Sequence, residues 1–403
     1  MEITTNCCGC GACSNACPKG CIEMLLDSDG FLSPMINNDI CVNCGVCRAI
    51  CPSNQSNSSI SIPKVIGAFS NDDSIRYQSS SGGVFSVIAE NILSQGGVVC
   101  GVEFNSNVQI PRHIMIDKVE DLAKLRGSKY IQSETGNIFI NVKQQLSVGR
   151  KVLFSGTPCQ IAGIRSFLKK DYDNLLCVEV ICHGVPSTEL WKKHIQTVEK
   201  KEKKQVVNVQ FRNKKYSWSD FGLNTEYSDS SQKFLFSFED PFFRMFNSNL
   251  CLRKTCYQCN FKGLNTKADI SLGDFWNIDE IDSKLDDGKG ISIVLLCTDK
   301  GKEYFQSISD RLNICIDNVD YDKACNLNKA IIKSMPESEK RNQFFKDMHD
   351  ISFDLLSSKY CPLTPKQKIK GILLRTGFWK FTKILGGVNN STYGLLYIMS
   401  SKE

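Results

Sequence analysis

The chain has 403 residues, 41% hydrophobic and 23% charged, an ordinary balance for a globular protein and enough length for two or three domains. Its net charge of +6 lies within residues 362–403; the rest carries 42 basic and 42 acidic side chains, which leaves no basic field over the body and excludes nucleic acid as the expected partner. The first residues show no basic stretch leading into an apolar run, and no apolar segment reaches membrane-span length. With 21 cysteines, the expectation is metal binding in a reducing cytoplasm rather than a disulfide framework.

One cysteine pattern occurs twice in the first fifty-odd residues. Cys7, Cys10, Cys13 and Cys17-Pro18 are spaced as C-x2-C-x2-C-x3-C-P, and Cys41, Cys44, Cys47 and Cys51-Pro52 repeat the spacing. This is the bacterial ferredoxin run, in which the fourth cysteine of each motif ligates the other motif's cluster. Cys7, Cys10, Cys13 and Cys51 are therefore expected to hold one 4Fe–4S cluster, and Cys41, Cys44, Cys47 and Cys17 a second. Structural zinc needs four ligands in two pairs, and two complete copies exceed that.

Residues 1–55 thus read as a small dicluster ferredoxin domain, and the Ser/Asn-rich stretch 56–63 as a linker. Beyond it, 65–69, 97–104, 151–154 and 175–181 have strand character, with helices at 84–93, 135–146 and 160–168. This alternation predicts an α/β core, 64–360, with a mostly parallel sheet covered on both faces. Residues 205–238 read as antiparallel strands. Strands follow at 268–272, 291–297 and 313–316, and a helical tail at 361–403. The lysines of 192–204 interleave with Glu199 and Glu202, as on a solvated helix face. The basic, apolar-striped segment 366–385 suits docking onto the body, or contact with a partner or membrane surface.

Two further cysteines fall where predicted strands end. Gly156-Thr157-Pro158-Cys159-Gln160 follows 151–154, and the proline suits a first helical turn, so Cys159 is expected near a helix N-terminus that stabilises a thiolate. Cys182-His183-Gly184-Val185-Pro186-Ser187 follows 175–181. Ligands gather at the carboxyl ends of parallel strands, so Cys159 and Cys182, with Cys256-x2-Cys259, form a candidate third cluster; scattered buried thiols with a zinc knuckle at Cys256 and Cys259 are the alternative. The turn Gln78-Ser79-Ser80-Ser81-Gly82-Gly83 precedes a helix, so its amides and hydroxyls suit a phosphate. Arg126-Gly127-Ser128-Lys129-Tyr130 adds two cations, and Asp269 and Asp274 bracket a buried strand as loop caps or cofactor-orienting groups.

In this order the blocks SSSGG, GSKY, GTPCQ, CHGVPS, Cys-x2-Cys and ADISLGDFW resemble the beta-subunit family of coenzyme F420-reducing hydrogenases and dehydrogenases, preceded here by a dicluster ferredoxin domain. The resemblance spans 64–300 and implies an FAD-binding oxidoreductase core. It also implies a third 4Fe–4S cluster near the flavin, on Cys159, Cys182, Cys256 and Cys259. Ser81, Gly82 and Gly83 would approach the FAD phosphates, with Ser80, Ser128 and Thr157 as further cofactor contacts. Lys129 would tune the ring and His183 donate a proton. The wording of GTPCQ, CHGVPS and GDFW is closest to a bacterial branch associated with polysaccharide-biosynthesis genes.

The expected function is therefore an iron–sulfur flavoprotein oxidoreductase. It would pass electrons between a ferredoxin or partner subunit, the clusters, the flavin and a small organic substrate. An electron-carrier subunit that feeds a partner enzyme and has no substrate of its own is the alternative, and a degenerate binding module a third reading.

Overall fold

A computed structural model describes residues 3–55, 59–104 and 108–376. The helices are α1 Ala12–Ala16, α2 Val46–Ala49, α3 Asp73–Gln78, α4 Val84–Ser94, α5 Leu122–Leu125, α6 Ile138–Ser147, α7 Pro158–Leu168 and α8 Thr188–Glu202. They continue with α9 Pro241–Asn247, α10 Asp299–Ser307, α11 Tyr321–Leu327, α12 Arg341–Asp350, α13 Phe353–Tyr360 and α14 Pro365–Thr376. The strands build three sheets. An N-terminal hairpin pairs β1 (Ile22–Leu26) with β2 (Leu32–Ile36).

The central sheet has eight strands: β3 Lys64–Ser70, β4 Val98–Phe104, β5 Pro111–Ile116, β6 Val152–Gly156, β7 Leu175–Val180, β11 Ile270–Asp274, β12 Ser292–Leu296 and β13 Leu312–Val319. Between β7 and β11, the strands β8 (Val206–Asn213), β9 (Gly222–Tyr227) and β10 (Gln232–Phe236) form a separate antiparallel sheet. The central order is β13-β3-β12-β11-β7-β6-β4-β5. β4, β6, β7 and β11 are parallel neighbours; β12 is antiparallel to both β11 and β3, so β3 runs with that set. Five strands therefore end at one edge, and the antiparallel members β12, β13 and β5 run the other way. The expected α/β core with an antiparallel portion and C-terminal helices is the architecture found.

Alternation along the strands explains how both faces are covered. Val99, Leu153, Leu176 and Val178 point into one layer with Ile88, Ile92 and Leu122 of α4 and α5. Val98, Cys100, Val152, Phe154, Leu175 and Cys177 point into the other, against Phe139 of α6 and Ile161 and Ile164 of α7. Because both faces are buried, these strands read as near-continuous apolar runs. A third core of Trp191, Phe211, Phe242, Phe243, Phe344 and Phe353 joins the antiparallel sheet to α8, α9, α12 and α13.

The first helix-forming stretches of the cysteine-rich domain lie directly against this core. Cys8, Cys10, Ala12 and Ile50 belong to the same cluster as Phe139 and Ile161. Of the expected linker, 56–58 lie outside the described residues. The rest is tied down: the Ile60 amide donates to the Leu264 carbonyl at 2.7 Å and Ser59 bonds Asn265 at 3.1 Å. The described part of the tail docks, with α14 burying Gly371 and Leu374, Lys370 paired to Asp220 at 2.9 Å and Arg375 paired to Glu239. Residues 377–403, including the remaining apolar stripe, lie outside the described residues. Among the described residues no helix is long and apolar enough to cross a membrane.

Asp269, at the amino end of β11, is one internal fastener. Its buried carboxylate accepts from the Cys177 amide at 2.8 Å and the Thr298 hydroxyl at 2.9 Å, and pairs with Arg165 at 2.8 Å. Removing one partner of such a buried pair leaves the other charge uncompensated. Asp269→Ala is therefore expected to lower stability by about 3–5 kcal/mol, read as a shifted midpoint in denaturant unfolding. A midpoint within error of the native chain would refute this role.

Candidate functional site

The five co-directional strands deliver the chemistry-bearing loops to one edge. β3 leads into α3 and the Ser79–Gly83 turn, β6 into Thr157–Cys159, β7 into Cys182–Ser187, and β11 ends on Asp274. The turn is packed as well as exposed. A Cβ on Gly82 would lie 2.6 Å from the Ala68 carbonyl and 2.7 Å from the Ser292 amide, and Gly83 begins α4 at φ +89°, where only glycine is unstrained. Ser81 donates to the Ile291 carbonyl at 2.8 Å. Ser80 Oγ accepts from the Ser128 amide at 2.8 Å and lies 3.0 Å from the Ser128 hydroxyl. The SSSGG and GSKY blocks are thus neighbours.

The two cations expected in GSKY have other duties than a bare positive edge. Arg126 donates to Ser86, Gln78 and Glu90, pinning its loop onto α4. Lys129 is half-buried, with Nζ donating to the carbonyls of Arg126 at 2.8 Å and Lys124 at 3.0 Å. Burial lowers its pKa to about 7. His183 packs its ring 4.7 Å from Phe246 and its Nε2 lies 2.8 Å from Asn249 Oδ1, with burial lowering its pKa.

Sequence reading misses two cations from β8 and the loop after it. Arg212 is 6% exposed; Nη2 lies 3.0 Å from Asp274 Oδ1 and 3.4 Å from the Ser80 carbonyl, and the guanidinium lies 3.8 Å over Phe221. Its Nε and Nη1 have no hydrogen-bond partner among the described residues. Lys214 donates all three hydrogens to carbonyls, of Ser81 at 2.6 Å, Lys289 at 2.8 Å and Arg76 at 3.0 Å. Burial first, then neighbouring Arg212, lowers its pKa to about 7. Asp274 also accepts from Trp218 Nε1 at 3.1 Å, and Trp218 stacks on Trp276 at 4.8 Å. The sequence signal of both cations is only an alternating strand segment, which gives no hint of the edge it reaches.

The thiols form two groups. Cys17, Cys21, Cys41, Cys44 and Cys47 line one recess. Cys21 lies within hydrogen-bonding reach of Cys17, at 3.3 Å, and of Cys41. Cys51 raises the pKa of Cys7, and Cys7 and Cys51 both raise that of Cys13, so the three lie together. Cys10, by contrast, hydrogen-bonds Cys8, which in turn reaches Cys159. Cys8 is thus a buried thiol that the motif spacing does not include, placed where the cysteine-rich domain meets α7; the Cys7-Cys8 doublet is its one signal. Cys159 is within electrostatic reach of Cys259, and Cys182 of both Cys256 and Cys259. The four expected central thiols are therefore neighbours.

The expectation that the α7 N-terminus stabilises a Cys159 thiolate is corrected. The Cys8 hydrogen bond and burial push its pKa well up, outweighing the Thr157 hydroxyl at 3.2 Å from its sulfur. Burial likewise pushes up Cys7, Cys13, Cys51, Cys182, Cys256 and Cys259. Cys8 is the exception, its pKa lowered by hydrogen bonds from Cys10 and Cys159; for the raised thiols, bound iron would supply the positive charge that favours the thiolate. Among the described residues no three His, Cys, Asp or Glu converge as ligands of a single ion would. A four-iron cube holds its thiolates at separate corners and has no such requirement.

Models of the coenzyme F420 hydrogenase/dehydrogenase beta subunit match the chain twice, its N-terminal part at 65–139 and its C-terminal part at 149–322. A 4Fe–4S dicluster domain matches 6–55. The chain belongs to this beta-subunit family. It is similar to a subunit of the F(420)H(2) dehydrogenase of Methanosarcina mazei, 23% identical over 329 residues, which are 77% of this chain and 84% of that protein. A solved structure of the F420-reducing [NiFe] hydrogenase complex from Methanosarcina barkeri aligns at 17% identity and a TM-score of 0.43. The alignment covers 68% of this chain and 91% of that one. As a member of the F420 beta-subunit family with a dicluster domain, the protein is an oxidoreductase-family chain equipped for electron transfer.

Behind the Cys159 loop of this F420-family chain lies a buried polar chain. His113 stacks on Phe154 at 5.3 Å, its Nδ1 is 3.1 Å from Ser133 Oγ and its Nε2 3.1 Å from the Ser155 carbonyl. Gln160 joins Ser133 to the Thr157 amide, closing the cap of α7. Burial lowers the His113 pKa from 6.5 to about 4. The folded state therefore holds this ring neutral where the unfolded chain protonates it, so stability is lost as pH falls from about 6.5 through 4. His113→Gln is expected to flatten that acid limb when unfolding free energies are compared between pH 7 and 4.5. An identical slope in native and variant chains would exclude the assignment.

Proposed function

We propose that the chain is an iron–sulfur flavoprotein oxidoreductase with three 4Fe–4S clusters and one FAD. In this reading Cys7, Cys10, Cys13 and Cys51 hold one N-terminal cluster, and Cys41, Cys44, Cys47 and Cys17 the other. Cys159, Cys182, Cys256 and Cys259 hold a third. One observation carries the reading: the SSSGG, GSKY, GTPC, CHGV and GDFW blocks, distant in sequence, gather at one sheet edge with Cys159, Cys182 and Cys256, each within electrostatic reach of Cys259. When bound, a flavin exchanges hydride with an organic molecule and single electrons with clusters.

The residues present fit such a group. The turn Ser80–Gly83 offers the N-terminus of α4 for phosphates, while the Gly82 amide is already given to the Ser292 hydroxyl at 3.0 Å. Ser128 holds the turn from below, and Thr157 sets the first turn of α7 beside Cys159. Arg212 brings two idle, buried N–H donors to the Ser80 carbonyl's neighbourhood, the donor chemistry that an electron-rich ring edge or an anion requires. It is a better candidate for that role than Lys129, whose amine already holds two carbonyls. His183, held by Asn249 and with its pKa lowered by burial, is the residue this reading assigns to proton transfer at the Cys182 loop. The substrate is read as a small organic molecule, with polysaccharide biosynthesis as the setting that the motif wording resembles.

A second reading is an electron-carrier subunit whose partner holds the substrate; the name of the similar Methanosarcina mazei protein, a subunit of a dehydrogenase, favours it. Substrate-dependent flavin reduction by the isolated chain separates the two. The first test is iron and flavin content after purification without oxygen. About twelve irons, four per cluster, and one FAD are expected, and Cys159→Ser should lower iron to about eight while the dicluster spectrum persists. About eight irons in the native chain, with no flavin, would remove both the third cluster and the flavin. Arg212→Gln, made with Asp274→Asn so that no carboxylate is left unpaired, should weaken FAD binding by about tenfold or more, on the scale of a lost charged hydrogen bond. Unchanged affinity in a flavin titration would exclude Arg212.

A further inference from the structure

A groove between the dicluster domain and α7 takes no part in the reading above. It is an open groove of about 440 Å³, with Ile50, Pro52 and Phe261 at its base and Arg165, Lys169, Lys170 and Lys267 on its basic side. Asp171, the carboxylate among its lining residues, pairs with Arg165 at 3.0 Å, and Arg165 also pairs with buried Asp269, so the net positive charge of the rim comes from its lysines. Lys169, at the end of α7, and Lys170 next to it are exposed, with the Lys170 ammonium 4.6 Å over the Tyr172 ring. Ile50, Pro52 and Phe261 are themselves buried, so the accessible part of the groove is its basic rim, the complement of a protein face ringed by carboxylates.

The groove's position gives that complementarity a purpose. Ile50 and Pro52 flank Cys51, Phe261 lies two residues beyond Cys259, and Arg165 stands on the helix that Cys159 begins. A protein seated here would contact the immediate neighbours of one N-terminal cluster's thiol and two central thiols. We propose that this groove is the docking surface of an acidic electron-carrier protein, a small protein whose redox centre is ringed by carboxylates. The step is a single electron: it leaves the reduced carrier, arrives in the chain, and no bond or proton changes hands. This inference rests on the cluster assignment at Cys51.

The rival entrance is the other cysteine recess. Cys44 is exposed there, beside exposed Val42. Among the residues lining that recess Lys19 is the one cation, against Lys169, Lys170 and Lys267 along the groove, so the groove is the more basic entrance.

The test uses the full chain with its clusters, reduced in a stopped-flow instrument by two donors: a reduced acidic bacterial ferredoxin, and reduced methyl viologen as a small dye. With the ferredoxin, the native rate should fall steeply as salt rises from about 0.05 to 0.3 M, a range over which screening removes steering. The double variant Lys169→Glu/Lys170→Glu should lose about ten- to a hundredfold in ferredoxin rate at low salt and keep its dye rate. An unchanged ferredoxin rate overturns the proposal. So does a loss seen only in Ile40→Asp/Val42→Asp, which would move the entrance to the other recess, or an equal loss with the dye, which would trace the effect to cluster integrity. A native chain that accepts no electrons even from the dye would refute the cluster assignment itself, and the groove's role with it.

Discussion

The guanidinium of Arg253 ties together the parts on which the site depends. It is 5% exposed and donates to the carbonyls of Cys7 at 3.0 Å and Leu32 at 2.6 Å, and to Gln132 at 3.1 Å. Gln132 in turn donates to the Cys8 carbonyl at 2.8 Å, and Thr255 to that of Cys7 at 3.3 Å. One side chain from the Cys256 loop therefore fixes the first cysteine loop, the N-terminal hairpin and the segment leading to α6. Its charge also lowers the cost of ionising Cys7 and Cys8, against the burial that raises Cys7. A guanidinium is not deprotonated in proteins, so Arg253 holds backbone carbonyls and still presents its charge to the thiols around it.

The same device recurs at the sheet edge. Lys262 donates to the carbonyls of Cys182 at 2.6 Å, Lys333 at 3.0 Å and Ala330 at 3.1 Å, as Lys214 does at the SSSGG turn. Each of these lysines satisfies three loop carbonyls that strand pairing leaves open, so each fixes a loop at the end of a strand without a carboxylate. The charge of Lys262 opposes the burial that raises Cys182 and Cys259. Loops held this way are positioned by hydrogen bonds of known number, which is what a preformed site requires.

What is legible in the sequence is local. The paired ferredoxin spacing, the apolar runs of β4, β6 and β7, and the Thr157-Pro158 start of α7 each follow from a few adjacent residues, and each is found where expected. The strand β5 is not legible, since Pro111, Arg112 and His113 interrupt its apolar pattern, and only pairing with β4 defines it. Arg212 and Lys214 are invisible because their role comes from the return of β8 to the SSSGG turn, across a separation of 132 residues for Arg212 and Ser80. Lys129 reads as a free cation because nothing local announces that its amine folds back onto Lys124 and Arg126. The Cys159 thiolate misleads for a related reason: a helix N-terminus is a local property, whereas the burial and the Cys8 contact that outweigh it are tertiary.

The contact between Cys8, Cys10 and Cys159 orders the whole arrangement. Read outward from it, the thiols grow more exposed toward the hairpin, from buried Cys10, Cys13 and Cys51 to exposed Cys44. Read inward, they lead through Cys259 to Cys182 at the carboxyl edge of β7. Protein donors need a surface that water and salt can reach, because their encounter is governed by charge and diffusion. A hydride-exchanging site needs the opposite, a protected place at strand ends where water is kept from the reacting atoms. On the proposed reading the sulfurs between them, buried at Cys10 and Cys8 and half-buried at Cys159, Cys259 and Cys182, would join the two ends and let each satisfy its own requirement. On that argument the dicluster domain is docked into the core, rather than tethered to it, because a loose tether would break the line at Cys8.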